Sequence, residues 1–136
     1  MNHQSPATTN LLHCAARVLA RQNTGILFAY LFGSLASKEE DSASDVDIAV
    51  FCAAIEPETC FELKLELHAD LCRALGRNDV DIVVLNTATN LVLLDEIIRK
   101  GIVFYETDPA ARADFEVRTI LKGIDFKSHR LAVIGM

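Results

Sequence analysis

Seven consecutive apolar residues, Ile26 to Phe32, stop abruptly at Gly33-Ser34. A run this short and this continuously apolar predicts a strand buried on both faces, which requires a sheet covered by helices. Ten mostly small or polar residues follow, and then a second apolar run, Ile48 to Ala54, is headed by Asp45 and Asp47. If Asp45 to Cys52 is a strand, its period of two puts both carboxylates on one face, roughly 7 Å apart at Cα. Carboxylates that close repel, and packing has no use for them. A divalent cation reconciles them, because hard oxygen ligands on one face are what Mg²⁺ takes up alongside substrate phosphates. The Gly-Ser turn supplies the other half. Gly33 lets a phosphate approach the backbone, and Ser34 adds a hydroxyl donor.

A third acidic strand is predicted at Asp79 to Leu85. Asp79 and Asp81 share its period, so either could join Asp45 and Asp47. Divalent ions held by such carboxylates suit chemistry on a substrate phosphate.

The remaining pattern is helical. Thr8-Thr9-Asn10 offers N-caps for a helix to about Gln22, ended by Asn23-Thr24-Gly25. Ser34 to Ser44 should leave the first strand through a short helical turn and an acidic loop. Phe61 to His68 alternates as a strand would, but Pro57, the capping-box pattern Thr59-x-x-Glu62 and the distance to Gly76 argue for one helix over 56–75. His68 is expected on its surface, remote from any cysteine. Thr87 or Thr89 should cap a helix through Lys100, Ile102 to Tyr105 should form a fourth strand, and Asp108-Pro109 should open a last helix broken at Gly123, after which 124–136 should continue helically or dock on a partner.

With 136 residues, one domain is expected. The net charge of −6 is uneven: residues 33–70 carry ten acids against Lys38 and Lys64, whereas 1–32 and 109–136 are each +2. An acidic lobe around the motif argues against an extended nucleic-acid substrate. Cys14, Cys52, Cys60 and Cys72 lack metal-type spacing and are read as reduced packing residues. No run is long enough to cross a bilayer, and the polar start is not a signal peptide, so a cytoplasmic protein is expected.

Taken together, the motifs resemble those of the nucleotidyltransferase superfamily that includes DNA polymerase beta. "FGSLASKEEDSASDVDIAV" is most similar to the minimal, MntA-type nucleotidyltransferases, and "VDIVVLN" is similar to their third-Asp strand, which favours Asp81 over Asp79. The resemblance covers roughly residues 10–120. It implies a single α/β domain over 1–136, with a mixed sheet of about four strands flanked by helices, and leaves 121–136 for partner docking. It also implies ATP as donor and two Mg²⁺ ions. Asp45 and Asp47 would hold both ions and Asp81 the one nearest the nucleophile, while Gly33, Ser34, Ser44 and Lys38 would contact the nucleotide. Such proteins act as antitoxins that adenylylate a tyrosine hydroxyl on a HEPN-type RNase toxin, with which they form hetero-oligomers. One departure stands out. The family's Gly-Ser-x-Ala-Arg-Gly reads Gly33-Ser34-Leu35-Ala36-Ser37-Lys38 here, so Lys38 would have to stand in for the Arg. Two alternatives remain: an antitoxin that neutralises by binding alone, and an aminoglycoside-type small-molecule nucleotidyltransferase.

Overall fold

The computed structural model describes the backbone of residues 6–36 and 45–133, and side chains up to residue 125. Helix α1 (Pro6–Ala20) leads to strand β1 (Ile26–Phe32), a single 3₁₀ turn (Gly33–Leu35), strand β2 (Val46–Cys52) and helix α2 (Pro57–Leu75). Strand β3 (Val80–Val84), helix α3 (Leu91–Lys100), strand β4 (Ile102–Glu106) and helix α4 (Pro109–Val133) complete the order. The sheet is mixed, in the order β3-β2-β1-β4. β1 pairs antiparallel with β2 and β4, and β2 pairs parallel with β3. The continuous apolar runs therefore occupy the two inner strands, where both faces are covered.

Alternation along β2 divides the core. Val46, Ile48, Val50 and Cys52 pack with Leu12, Ala15, Leu63, Leu67 and Leu71 under α1 and α2. Ala49 faces the other way, with Phe28, Tyr30, Leu94, Ile97 and Phe115 under α3 and α4. On that second face the helices contact β1, while the acidic ends of β2 and β3 stay open: Asp45 and Asp81 are exposed.

α2 resolves the strand-like alternation of its sequence. Cys60, Leu63, Leu67 and Leu71 are buried at helical spacing, while Phe61 and Leu65 point outward, 61% and 56% exposed. Gly76 closes this helix in the left-handed region, at φ +65°. His68 is exposed, but Cys72 Sγ lies 3.6 Å from its Nε2, so it is not remote from a cysteine. The four cysteines are free thiols.

Several helix ends differ from expectation. α1 begins at Pro6, which carries Thr8 past the cap position and buries it. α2 is capped by Glu56 without a side-chain bond, so the Thr59–Glu62 box does not form; Pro57, already helical, starts the helix too early for it. Neither Thr87 nor Thr89 caps α3. Asn90 does, its Oδ1 accepting from Val92 N and Leu93 N at 3.1 Å each. α4 opens as expected, Asp108 Oδ1 accepting from Ala111 N at 3.0 Å, but it continues through Gly123 to Val133. One glycine costs a helix only about 1 kcal/mol, too little by itself to end α4.

Two polar networks lock these layers. The buried Tyr30 hydroxyl donates to Glu116; Arg112 binds Glu116 at 3.2 Å and also pairs with Glu106, joining α4 to β1 and β4. Burial, and then the Glu116 carboxylate, pushes the Tyr30 phenol well above its usual range. At the other end of the sheet Asn86 clamps β2. Its Oδ1 accepts from Cys52 N at 2.9 Å, and its Nδ2 donates to the carbonyls of Cys52 and Ala54 at 2.8 and 3.2 Å. Asn86→Ala strands these backbone groups, so a denaturation curve should show a loss of about 2–4 kcal/mol. No loss would mean that water replaces the clamp.

Candidate active site

The site is built where β1 ends and β2 and β3 begin. Antiparallel pairing sets Phe32 opposite Asp47, which brings the Gly33–Leu35 turn beside the Asp47 carboxylate. Gly33 adopts φ +76°, and a Cβ there would come within 2.2 Å of Asp47 Oδ2. Glycine is thus required by the fold twice over: for its backbone conformation and for the space the carboxylate fills. Ser34 is exposed in the same turn.

Parallel pairing sets Asp47 directly opposite Asp81. Asp45 lies two residues before Asp47, and Asp47 senses both of the other carboxylates. Burial, then Asp81, then Asp45 push the Asp47 carboxyl above its ordinary value. Asp79 is handled differently. Arg77 grips it with two bonds, Nε to Oδ1 at 2.7 Å and Nη2 to Oδ2 at 2.6 Å, and holds its carboxyl below the usual range. The Asp79 carbonyl accepts from Val46 N at 2.9 Å, which aligns the starts of β2 and β3. Of the two acids on the third strand, Asp81 faces the pair and Asp79 faces Arg77.

Arg77 is the residue that sequence reasoning passed over. Its guanidinium, raised in pKa chiefly by Asp79, also interacts with Asp45, so it brings positive charge to the edge of the acidic cluster. Its only local sign is its place directly after the Gly76 stop and two residues before Asp79. Ser44 and Lys38, together with Ser37, lie outside the described residues.

Among the described residues, no three acidic, His or Cys side chains close into a ready-made metal cage. The donor set still fits a hard cation. Three carboxylates lie within electrostatic reach, one with its proton affinity raised by the others, and they open toward solvent where phosphate oxygens could complete the shell.

The family described as Polymerase beta, Nucleotidyltransferase matches residues 16–110, a span that includes the turn and all three carboxylates. The chain belongs to this family. Among solved structures, it is similar to a chain of a toxin–antitoxin complex with AMP-PNP, at 28% identity and a TM-score of 0.75, covering 90% of this chain and 94% of that one. It is likewise similar to a chain of the toxin–antitoxin MntA–HepT, at 27% identity and a TM-score of 0.70, covering 93% and 95%. A third similar structure is the tri-AMPylated Shewanella oneidensis HEPN toxin in complex with MNT antitoxin, at 26% identity and a TM-score of 0.63, covering 97% and 96%. No curated protein matches the chain. Among the described residues, no helix of this nucleotidyltransferase-family chain is long and apolar enough to cross a membrane.

Proposed function

We propose that this protein is an antitoxin that transfers AMP from ATP to a tyrosine hydroxyl of a HEPN-type RNase toxin in the cytoplasm. The observation that carries this reading is the meeting of Asp47 with Asp81 across the β2–β3 register, beside Asp45 and the Gly33-Ser34 turn. Support comes from the similar structures, one with AMP-PNP and one with an AMPylated HEPN toxin.

In this reading Asp45 and Asp47 would hold two Mg²⁺ ions, and Asp81 would complete the one nearer the acceptor. When bound, such ions neutralise charge on the transferring phosphoryl group and on the attacking and leaving oxygens. The acceptor oxygen forms a bond to the α-phosphorus of ATP, the bond from that phosphorus to the pyrophosphate oxygen breaks so that pyrophosphate leaves, and the hydroxyl proton passes to the Asp81 carboxylate and on to water. Asp81 is exposed on the edge strand β3, open to an incoming hydroxyl. Gly33 N–H and Ser34 Oγ hold the terminal phosphates, with Lys38 and Ser44 as further contacts. Asp79 stays with Arg77.

The open side of the site and its acidic surroundings fit a protein acceptor carrying positive charge, within a hetero-oligomer, and disfavour extended nucleic acid. Residues 121–136 supply part of the docking surface. Ile120, Leu121 and Ile124 extend an outward apolar stripe that begins at Val117, each at least half exposed. Phe126, Arg130, Leu131 and Ile134, expected to continue it, lie outside the described side chains.

Incubation with toxin, ATP and Mg²⁺ should raise the toxin's intact mass by whole AMP units. A toxin silenced on mixing with no change of mass would leave binding alone as the function. Ser34→Ala should weaken ATP binding by about 1.5–3 kcal/mol, the worth of one hydrogen bond to a charged group, or roughly 10- to 100-fold in Kd by titration calorimetry. Unchanged affinity would remove Ser34 from the phosphate site.

A further inference from the structure

The face that carries the carboxylates also carries a cavity at its far end. Asp47, Ala49 and Phe51 share that face of β2, and Phe51 lies about 13 Å along the strand from Asp47 at 3.3 Å per residue. There a cavity of about 620 Å³ opens between the start of α3 and the middle of α4, floored by Phe51, Leu85 and Phe115. Its size is that of small-molecule sites, about 300–1,000 Å³.

Its polar wall is not explained by the fold. Thr119 lines the cavity at only 7% exposure, and its hydroxyl has no hydrogen-bond partner among the described residues. A buried polar group without a partner calls for a ligand or water. One turn on, Lys122 lines the same wall and has no ion-pair partner among the described residues. Asp114 and Arg118, also on that wall, offset each other at 3.0 Å, so Lys122 is the charge in excess. Leu91 brings the start of α3 to the cavity, where Asn90 Oδ1 already takes the Val92 and Leu93 N–H groups. An unpaired cation and a hydroxyl above an aromatic floor are complementary to a flat ring bearing a phosphate.

We propose that this cavity is a second nucleotide site, distinct from the carboxylate cluster, that takes an adenosine monophosphate unit through Thr119 and Lys122. The choice of adenosine rests on the transfer reaction proposed above. The unit has two sources, free AMP or an AMP already attached to the modified partner.

The test uses AMP on the full chain with divalent cations chelated, read by backbone amide shifts, so it does not depend on transfer activity. AMP should shift Phe51, Leu91 and Thr119, and Asp47→Asn should leave this binding unchanged. Lys122→Glu should weaken it roughly tenfold or more, and Thr119→Val by about threefold with no loss of thermal stability. Shifts confined to Gly33–Leu35 and Asp45–Asp47, binding lost in Asp47→Asn, or no shifts at ~10 mM AMP would overturn the proposal and leave water as the occupant. With toxin and ATP, a Lys122→Glu protein that slows the later additions of AMP more than the first would identify the attached unit. An unchanged series of additions, with inhibition by free AMP abolished, would identify free AMP.

Discussion

Asp47→Asn is expected to abolish AMP transfer while leaving the metal-free protein as stable as before, or more so. The loss should be about 10³-fold or greater, equivalent to about 4 kcal/mol of transition-state stabilisation, because an amide neither carries the ligand charge nor bridges cations as a carboxylate does. The stability half follows from the sign of the pKa shift. Burial, Asp81 and Asp45 raise the Asp47 carboxyl, so the folded protein holds that proton more tightly than the unfolded chain. Below the ordinary carboxylate range both states are protonated and nothing is lost. As pH rises through the unfolded value toward the raised folded value, ionisation costs the folded state stability, and the cost persists at neutral pH. Asn at 47 removes it, so any gain in Tm should appear at neutral pH and vanish in acid. A drop of several degrees at neutral pH in chelator would show that the carboxylate is structural, and would remove Asp47 from the metal site.

Gly33→Val should be harsher, losing activity and stability together. A valine at φ +76° is strained by about 1–2 kcal/mol in the left-handed region. Its Cβ would also stand 2.2 Å from Asp47 Oδ2, and the nearest atoms belong to a short side chain held by the β1–β2 pairing. The carboxylate must swing away, so transfer should fall at least 100-fold, or about 2.7 kcal/mol. Thermal melting should fall by roughly 3–8 °C. This pattern separates the residue from Asp47, where activity is lost and stability is kept. A Gly33→Val protein with wild-type Tm and wild-type transfer would show that the turn lies away from the reacting phosphate and from the strain read here.

Much of the architecture is written locally. Ile26–Phe32 appears as a strand with the predicted bounds, because seven apolar residues closed by a glycine leave a buried strand as the one economical element. β2, β3 and β4 shift by a residue or so at their ends. The helix ends were less legible. Thr8, Thr59 and Thr89 are all competent caps, and which hydroxyl is used depends on where packing starts the helix, not on the residue alone. Gly123 shows the same limit. A single glycine costs a helix too little to stop it alone, and α4 continues to Val133.

The acidic residues of the site could be listed from the sequence, and a period of two was enough to put Asp45 and Asp47 on one face. The period of two could not separate Asp79 from Asp81, and only the resemblance of the third strand favoured Asp81. Tertiary structure adds the parallel register that sets Asp81 opposite Asp47, while a local contact, Arg77 with the acid two residues on, engages Asp79. The packing of Gly33 against Asp47, the Tyr30–Glu116 bond across 86 residues and the unpartnered Thr119 in its cavity are likewise invisible in the chain. Periodicity reports which face a residue occupies. Which residue meets it across that face depends on strand register and helix docking, and no short stretch of sequence encodes either.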